Sequence, residues 1–281
     1  MNRLKSLFVT VYIMAGVGGL IASLLMLGDA GWTSPWLGAA LACAAPTLFF
    51  SQLMLMPRAR TSPNLGLLIA AGVLGTVLTV ALPGPVSLAA IALAATVGLV
   101  GSLAYVYWYS RFGAAGNAAL EVGNSLPAFT LSENGRPLSS AELVQQPALW
   151  IFYRGNWCPL CVAQVREIAA QYRELARRGV DVHLVSPQSE ASSEQLAKQM
   201  DAPMRFLTDA GNRAAEALGI KVKDGLPAGF QALGYDSDVP RPTVFITAAG
   251  GRIIWCDMTD NYRVRPEPAT FFTVLDRHAI V

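Results

Sequence analysis

The chain has 281 residues, 53% of them hydrophobic and only 14% charged, against roughly 25% charged in an ordinary globular protein. Four cysteines exclude a disulfide-dense secreted fold; the formal net charge of +2 says little about a partner, and no basic stripe supports a nucleic-acid one. Two unlike halves make up that average. Up to residue 112 the charged residues are Arg3, Lys5, Asp29, Arg58, Arg60 and Arg111, with none from Thr61 to Ser110. Residues 113–281 hold 16 Lys/Arg and 18 Asp/Glu, an ordinary soluble mixture.

A bilayer span takes about 20 mostly apolar residues, and four segments fit: 7–27, 37–56, 65–82 and 86–108. Gly28, Asp29, Gly31 and Pro35 separate the first two, and Pro57, Arg58, Arg60 and Pro63 the next pair. Pro83-Gly84-Pro85 makes the last break short, as in a helical hairpin. The first segment is too long for a typical signal core and is followed by three more, so a retained helix is expected. Arg3, Lys5, Arg58, Arg60 and Arg111 all fall on one side of four such spans. The positive-inside rule then predicts a multi-pass membrane protein with both termini and the soluble part cytoplasmic. The spans carry no ionisable residue except Cys43 and tyrosines, which argues for an anchor or docking module rather than a transport path. Cys43 reads as a small packing residue.

Residues 112–120 form a linker to a domain over 121–281. Residues 127–131 read as a strand, and Ser139 with Glu142 has capping-box spacing for a short helix. Residues 148–153 are continuously apolar, as in a central buried strand. A long amphipathic helix follows, then a strand at 180–185, a polar helix at 190–200, a strand-like run at 204–207 and a short helix at 212–218. A hairpin over 243–256 and a last helix from near Pro266 towards Arg277 complete the chain. This order predicts an α/β domain with a mixed central sheet flanked by helices.

The chemistry concentrates at Trp157-Cys158-Pro159-Leu160-Cys161, just after the central strand. A Cys-x-x-Cys in a β-to-α turn is a redox signature. Pro159 suits the first helical position and puts Cys158 at the N-cap, where backbone N–H groups and the helix dipole favour a thiolate. The apolar stripe Cys161, Val165, Ile168, Tyr172 and Leu175 places Cys161 one turn deeper. Cys158 is thus expected at an exposed tip with a lowered pKa, and Cys161 behind it as a shielded partner for thiol–disulfide cycling. A zinc site lacks ligands, since Cys43, Cys256, His183 and His278 show no paired metal spacing. No metal or cofactor is expected. The run 259–266 reads as a solvated turn with ion-paired Arg263 and Arg265, with a place at the active site as the alternative. Residues 225–240 are long enough for a lid over Cys158.

Residues from about 121 to 275 resemble the alkyl hydroperoxide reductase/thiol-specific antioxidant group, the peroxiredoxin-like branch of the thioredoxin fold. The resemblance rests on 122–131 (VGNSLPAFTL), 152–161 (FYRGNWCPLC), Gly179-Val180 and 241–246 (RPTVFI). It implies Cys158 as the attacking, peroxidatic cysteine and Arg241 as the arginine that polarises the peroxide. Pro242 is similar in position to the cis-proline facing the cysteines of thioredoxins. Trp157, Arg154 and Pro242 are candidate substrate contacts. Gly155 stands where the family usually has Thr or Ser, and Cys161 is spaced as a thioredoxin's second cysteine.

The expected activity is therefore an oxidoreductase, a membrane-anchored thiol-dependent peroxidase. Cys158 is oxidised by a hydroperoxide and resolved by Cys161, and an external thioredoxin- or glutathione-like thiol system resets the pair. Gly155, Pro242 and the Cys-x-x-Cys favour the alternative of a thiol:disulfide oxidoreductase acting on protein disulfides. A redox sensor or assembly module is a third reading. The lipid bilayer is an expected partner, and the resemblance leaves room for a homo-oligomer.

Overall fold

The computed structural model describes residues 2–113, 117–200 and 202–280, so residues 114–116 of the expected linker, and Asp201 and Val281, lie outside the described residues. The chain divides into two compact units, one essentially residues 3–111 and the other mainly 112–281.

The first unit is helical. It contains α1 (Asn2–Ala30), α2 (Trp36–Leu55) and α3 (Gly66–Ala81). A fourth helix starts as α4 (Leu88–Leu93), passes through wide π-helical turns at Ala94–Gly101 and Tyr105–Tyr109, and includes α5 (Ser102–Ala104) between them. Three of the four, including the continuous Leu88–Tyr109 stretch, are long and apolar enough to cross a membrane. Four spans are expected from the apolar runs; α3 has only 16 residues, about 24 Å at 1.5 Å per residue. Left-handed Leu65 (φ 43°) stands before it and the Pro83-Gly84-Pro85 break closely follows it. Small residues bring the helices into backbone contact: a Cβ on Gly72 would lie 2.3 Å from the Gly98 carbonyl oxygen. Along α1 the residues Leu7, Val11, Met14, Ile21 and Leu25 are exposed.

The second unit is built on a seven-stranded mixed sheet in the order β2-β1-β5-β4-β3-β8-β9. Its strands are β1 (Thr130–Glu133), β2 (Arg136–Ser139), β3 (Ala148–Phe152), β4 (Asp181–Ser186), β5 (Arg205–Thr208), β8 (Thr243–Thr247) and β9 (Ile253–Asp257). Short β6 (Lys221–Val222) and β7 (Val239–Pro240) pair separately. Strand β3 runs parallel to β4 and antiparallel to β8, with all five of its residues paired on both sides. Every residue of β3 is buried, which its unbroken apolar run requires. The helices are α6 (Ser140–Leu143), α7 (Pro159–Arg177), α8 (Glu190–Ala197), α9 (Arg213–Ala217) and α10 (Pro268–Arg277).

Local chemistry explains the main boundaries. The Ser139/Glu142 capping box forms at the start of α6: Ser139 Oγ accepts from Glu142 N at 3.3 Å, and Glu142 Oε2 accepts from Ser139 N at 2.8 Å. Helix α7 opens with Pro159 and stops before Gly179, whose φ of 66° a side chain would oppose. Trp150 stacks on Phe245 at 5.6 Å and gives its indole N–H to Thr247 Oγ1 at 3.1 Å, which satisfies the polar edge of the largest core side chain.

Candidate active site

Strand β3 ends at Phe152, and the turn 153–158 carries the chain into α7, so both cysteines sit beside the carboxyl end of a central strand. Cys158 is the N-cap of α7, with φ −96° and ψ 109°. Its carbonyl accepts from Cys161 N at 2.9 Å and Val162 N at 3.1 Å, which fixes the first turn. Cys161 lies one turn further along the same helix. Both are reduced and buried, at 2% and 0% exposure. The exposed tip expected for Cys158 is therefore corrected: it lies buried, hydrogen-bonded to Cys161, and residues 225–240 pack on the turn that precedes it.

That segment folds back on the turn before Cys158. Arg154 Nη2 donates to Gly225 O at 2.5 Å, and Tyr235 donates its hydroxyl to Asn156 Oδ1. The Trp157 ring lies 5.5 Å from Phe230 and 6.4 Å from Tyr235. Arg154 also lies 4.7 Å from the Trp157 ring and 5.5 Å from Tyr262. Beneath the turn, Gln188 accepts from Asn156 N at 2.7 Å while donating to Tyr153 Oη and Ser193 Oγ, each at 3.1 Å. Gly155, at φ 142°, passes so close to Trp157 that a Cβ would sit 2.7 Å from its Nε1.

The run 259–266 is not a solvated turn. Arg263 and Arg265 are 0% and 4% exposed. Arg265 reaches the cysteines: Nη2 donates to Cys161 Sγ at 3.3 Å, Nη1 to Gln164 Oε1 at 2.6 Å and Nε to Tyr262 O at 3.2 Å. This arginine is hard to place from the sequence, because 104 residues separate it from Cys161 and no spacing rule links them.

The two thiols titrate as a pair. The hydrogen bond to Cys161, then burial, hold Cys158 well above the ordinary thiol value. Burial pushes Cys161 upward too, but the same hydrogen bond and the Arg265 charge outweigh it and bring Cys161 well below. The expected lowering at Cys158 thus appears at Cys161, because the guanidinium contacts the inner sulfur and the Cys158 side chain makes no capping bond.

Arg241 and Pro242 begin the stretch leading into β8. Arg241 donates from Nε to Thr259 O at 3.1 Å and from Nη2 to Met258 O at 2.7 Å, with its guanidinium 5.2 Å from the Phe112 ring. The positive charges bearing most on Cys158 are those of Arg265 and Arg154. The peptide before Pro242 is trans, so its similarity to the thioredoxin cis-proline is one of position only. Cys256 lies on β9, where burial pushes its thiol up to about 12. Among the described residues no group of three or more His, Cys, Asp or Glu side chains could hold a metal.

Residues 122–256 match the model of the AhpC/TSA family. A chloroplastic peroxiredoxin Q from Sedum lineare is 29% identical over 104 residues, covering 37% of this chain and 56% of that protein. A putative peroxiredoxin, bcp, from Coxiella burnetii is 27% identical over 105 residues, covering 37% of this chain and 70% of that protein. The chain thus spans little more than half the length of the first of these relatives. Among solved structures, the peroxidoxin BcpB of Mycobacterium tuberculosis aligns over 58% of this chain and 98% of its own, at 18% identity and a TM-score of 0.46. The segment 122–256, with Cys158 and Cys161 in it, is therefore similar to the AhpC/TSA family and to the two peroxiredoxins just named.

Proposed function

We propose that the protein is an oxidoreductase, a thiol peroxidase that reduces hydroperoxides at Cys158 and resolves the product with Cys161. The observation that carries this reading is the burial of both thiols, one helical turn apart, behind a turn on which residues 225–240 pack. A hydroperoxide is small enough to enter such a site, whereas a protein disulfide needs the site to open locally. Sulfenic acid formed on Cys158 is then within reach of Cys161, giving an intramolecular disulfide. A thioredoxin- or glutathione-like system supplies the reducing equivalents.

Arg154 and Trp157 line the approach to Cys158. Arg241 serves as a positioning residue: it grips the carbonyls of Met258 and Thr259 at the start of the segment that ends in Arg265. The apolar helices anchor the protein in a bilayer, with Arg3, Lys5, Arg58, Arg60 and Arg111 towards the cytoplasm and the redox domain on that side. A reporter fused after the last residue should behave as cytoplasmic; activity only in an exported reporter overturns the topology.

Thiol:disulfide exchange is the second reading, favoured by Gly155 in place of a hydroxyl residue and by the Cys-x-x-Cys spacing. Stopped-flow oxidation of the reduced full-length protein in detergent separates the two, with hydrogen peroxide, an organic hydroperoxide and a protein disulfide run in parallel. Faster oxidation by either peroxide supports the peroxidase. Oxidation by the protein disulfide alone replaces it with exchange.

A further inference from the structure

Arg265 is a buried cation whose hydrogen-bond acceptors are one carbonyl, one amide oxygen and one sulfur. No carboxylate pairs with it among the described residues. A guanidinium does not give up its proton in a protein, and a buried charge without a counter-ion is costly. Of its three acceptors only Cys161 Sγ can become an anion. The charged or titratable groups facing that sulfur are Cys158, Arg265 and Tyr153, and the Arg154 backbone N–H also donates to it. Tyr153 is fully buried and its hydroxyl is pushed up by that burial and by Cys161, so it stays neutral.

We propose that Arg265 is a catalytic residue of this site, which holds the negative charge of the reduced pair on Cys161 and so makes Cys161 both the base for Cys158 and the resolving nucleophile. This rests on the peroxidase reading and assigns roles within it. As Cys158 attacks the distal peroxide oxygen, its thiol proton passes to Cys161. The new S–O bond forms as the O–O bond breaks, and the departing alkoxide takes that proton and leaves as alcohol. Cys161, again a thiolate beside Arg265, then attacks the Cys158 sulfur. The S–S bond forms, the S–O bond breaks, and hydroxide leaves with a solvent proton as water. Two electrons from the dithiol have reduced the peroxide. Disulfide formation removes the anion from beside Arg265, so the same contact favours the reduced form and makes the disulfide easier to reduce.

The test uses full-length protein in detergent, comparing the parent with Arg265→Gln, Arg265→Lys and Gln164→Glu. Gln164→Glu keeps Arg265 but offers it a competing carboxylate. Thiolate absorbance against pH is read first, then the rate of disulfide closure after a single peroxide turnover, with dimedone trapping the sulfenic acid. In Arg265→Gln the first thiol ionisation should rise by about one pH unit or more, and closure at pH 7 should slow about tenfold or more. Closure should recover at higher pH, and dimedone adducts should accumulate on Cys158. Gln164→Glu should shift in the same direction and Arg265→Lys less. An unchanged ionisation and closure rate in Arg265→Gln overturns the proposal. If that variant does not fold, an unchanged ionisation in Gln164→Glu overturns it. If the parent is inert to peroxide but its ionisation still moves with Arg265→Gln and its disulfide closes with diamide, the peroxidase reading fails and the charge assignment stands.

Discussion

Tyr235 donates a hydrogen bond from its hydroxyl to Asn156 Oδ1, joining the middle of the 225–240 segment to the turn that precedes Cys158. One neutral hydrogen bond is worth about 0.5–1.5 kcal/mol, so it biases the closed arrangement without locking it. Tyr235→Phe should therefore raise the alkylation rate of Cys158 by a small neutral reagent roughly two- to tenfold at fixed pH. Equal rates in parent and variant mean that this segment does not control access.

Gly155 sets a second constraint on the same turn. A side chain there meets both a φ of 142° and the Trp157 indole, 2.7 Å from the new Cβ. Gly155→Ala should lose about 1–3 kcal/mol of stability and displace Trp157, visible as altered tryptophan fluorescence. Restoring the family hydroxyl with Gly155→Thr should slow peroxide turnover. A faster Thr variant argues that the turn relaxes freely.

Arg241 touches carbonyls of the segment that leads to Arg265, so its loss is expected to act at a distance. Arg241→Leu should lower peroxide turnover by about tenfold or more, within the range for loss of a preorganised group. The pH optimum should move up with it, because Arg265 loosens from Cys161. A slower enzyme with an unmoved pH profile points instead to direct contact with the peroxide.

His183 contributes to the pH dependence of the fold. Its Nε2 donates to Leu143 O at 2.9 Å in the core, and burial lowers its pKa from 6.5 to about 4. The unfolded chain therefore binds more protons between those values, and stability rises with pH across that window. The contribution is fully present above 6.5 and is lost as pH falls towards 4, amounting to about 3 kcal/mol. Denaturant unfolding at pH 7 and pH 4.5 should show a steeper acid loss in the parent than in His183→Gln. Parallel losses remove His183 as the cause.

Much of the site's frame is legible locally. Residues 148–152 are apolar without interruption and become the fully paired β3. Pro159 after Cys158 fixes the start of α7, and Ser139 with Glu142 fixes that of α6. What escapes the sequence is tertiary. Charge and polarity make residues 259–266 look solvated, but Arg265 is drawn inward by acceptors on α7 and in its own turn. The turn that precedes Cys158 is held by a segment about 70 residues further along the chain, Arg154 to Gly225 being 71 apart. The length of α3 is decided by Leu65 and the prolines after it rather than by its apolar run.

The closed 225–240 segment also bears on the return half of the cycle. A hydroperoxide can diffuse to a covered sulfur, but a reductant of protein size must present its own thiolate in line with the disulfide. On the proposed peroxidase cycle, recharging by a protein then requires the turn before Cys158 and residues 225–240 packed on it to move aside once in every turnover, while oxidation does not. Small dithiols and a protein reductant of equal potential should consequently support different maximal rates, with the rhythm of the enzyme set by how often this flap lifts.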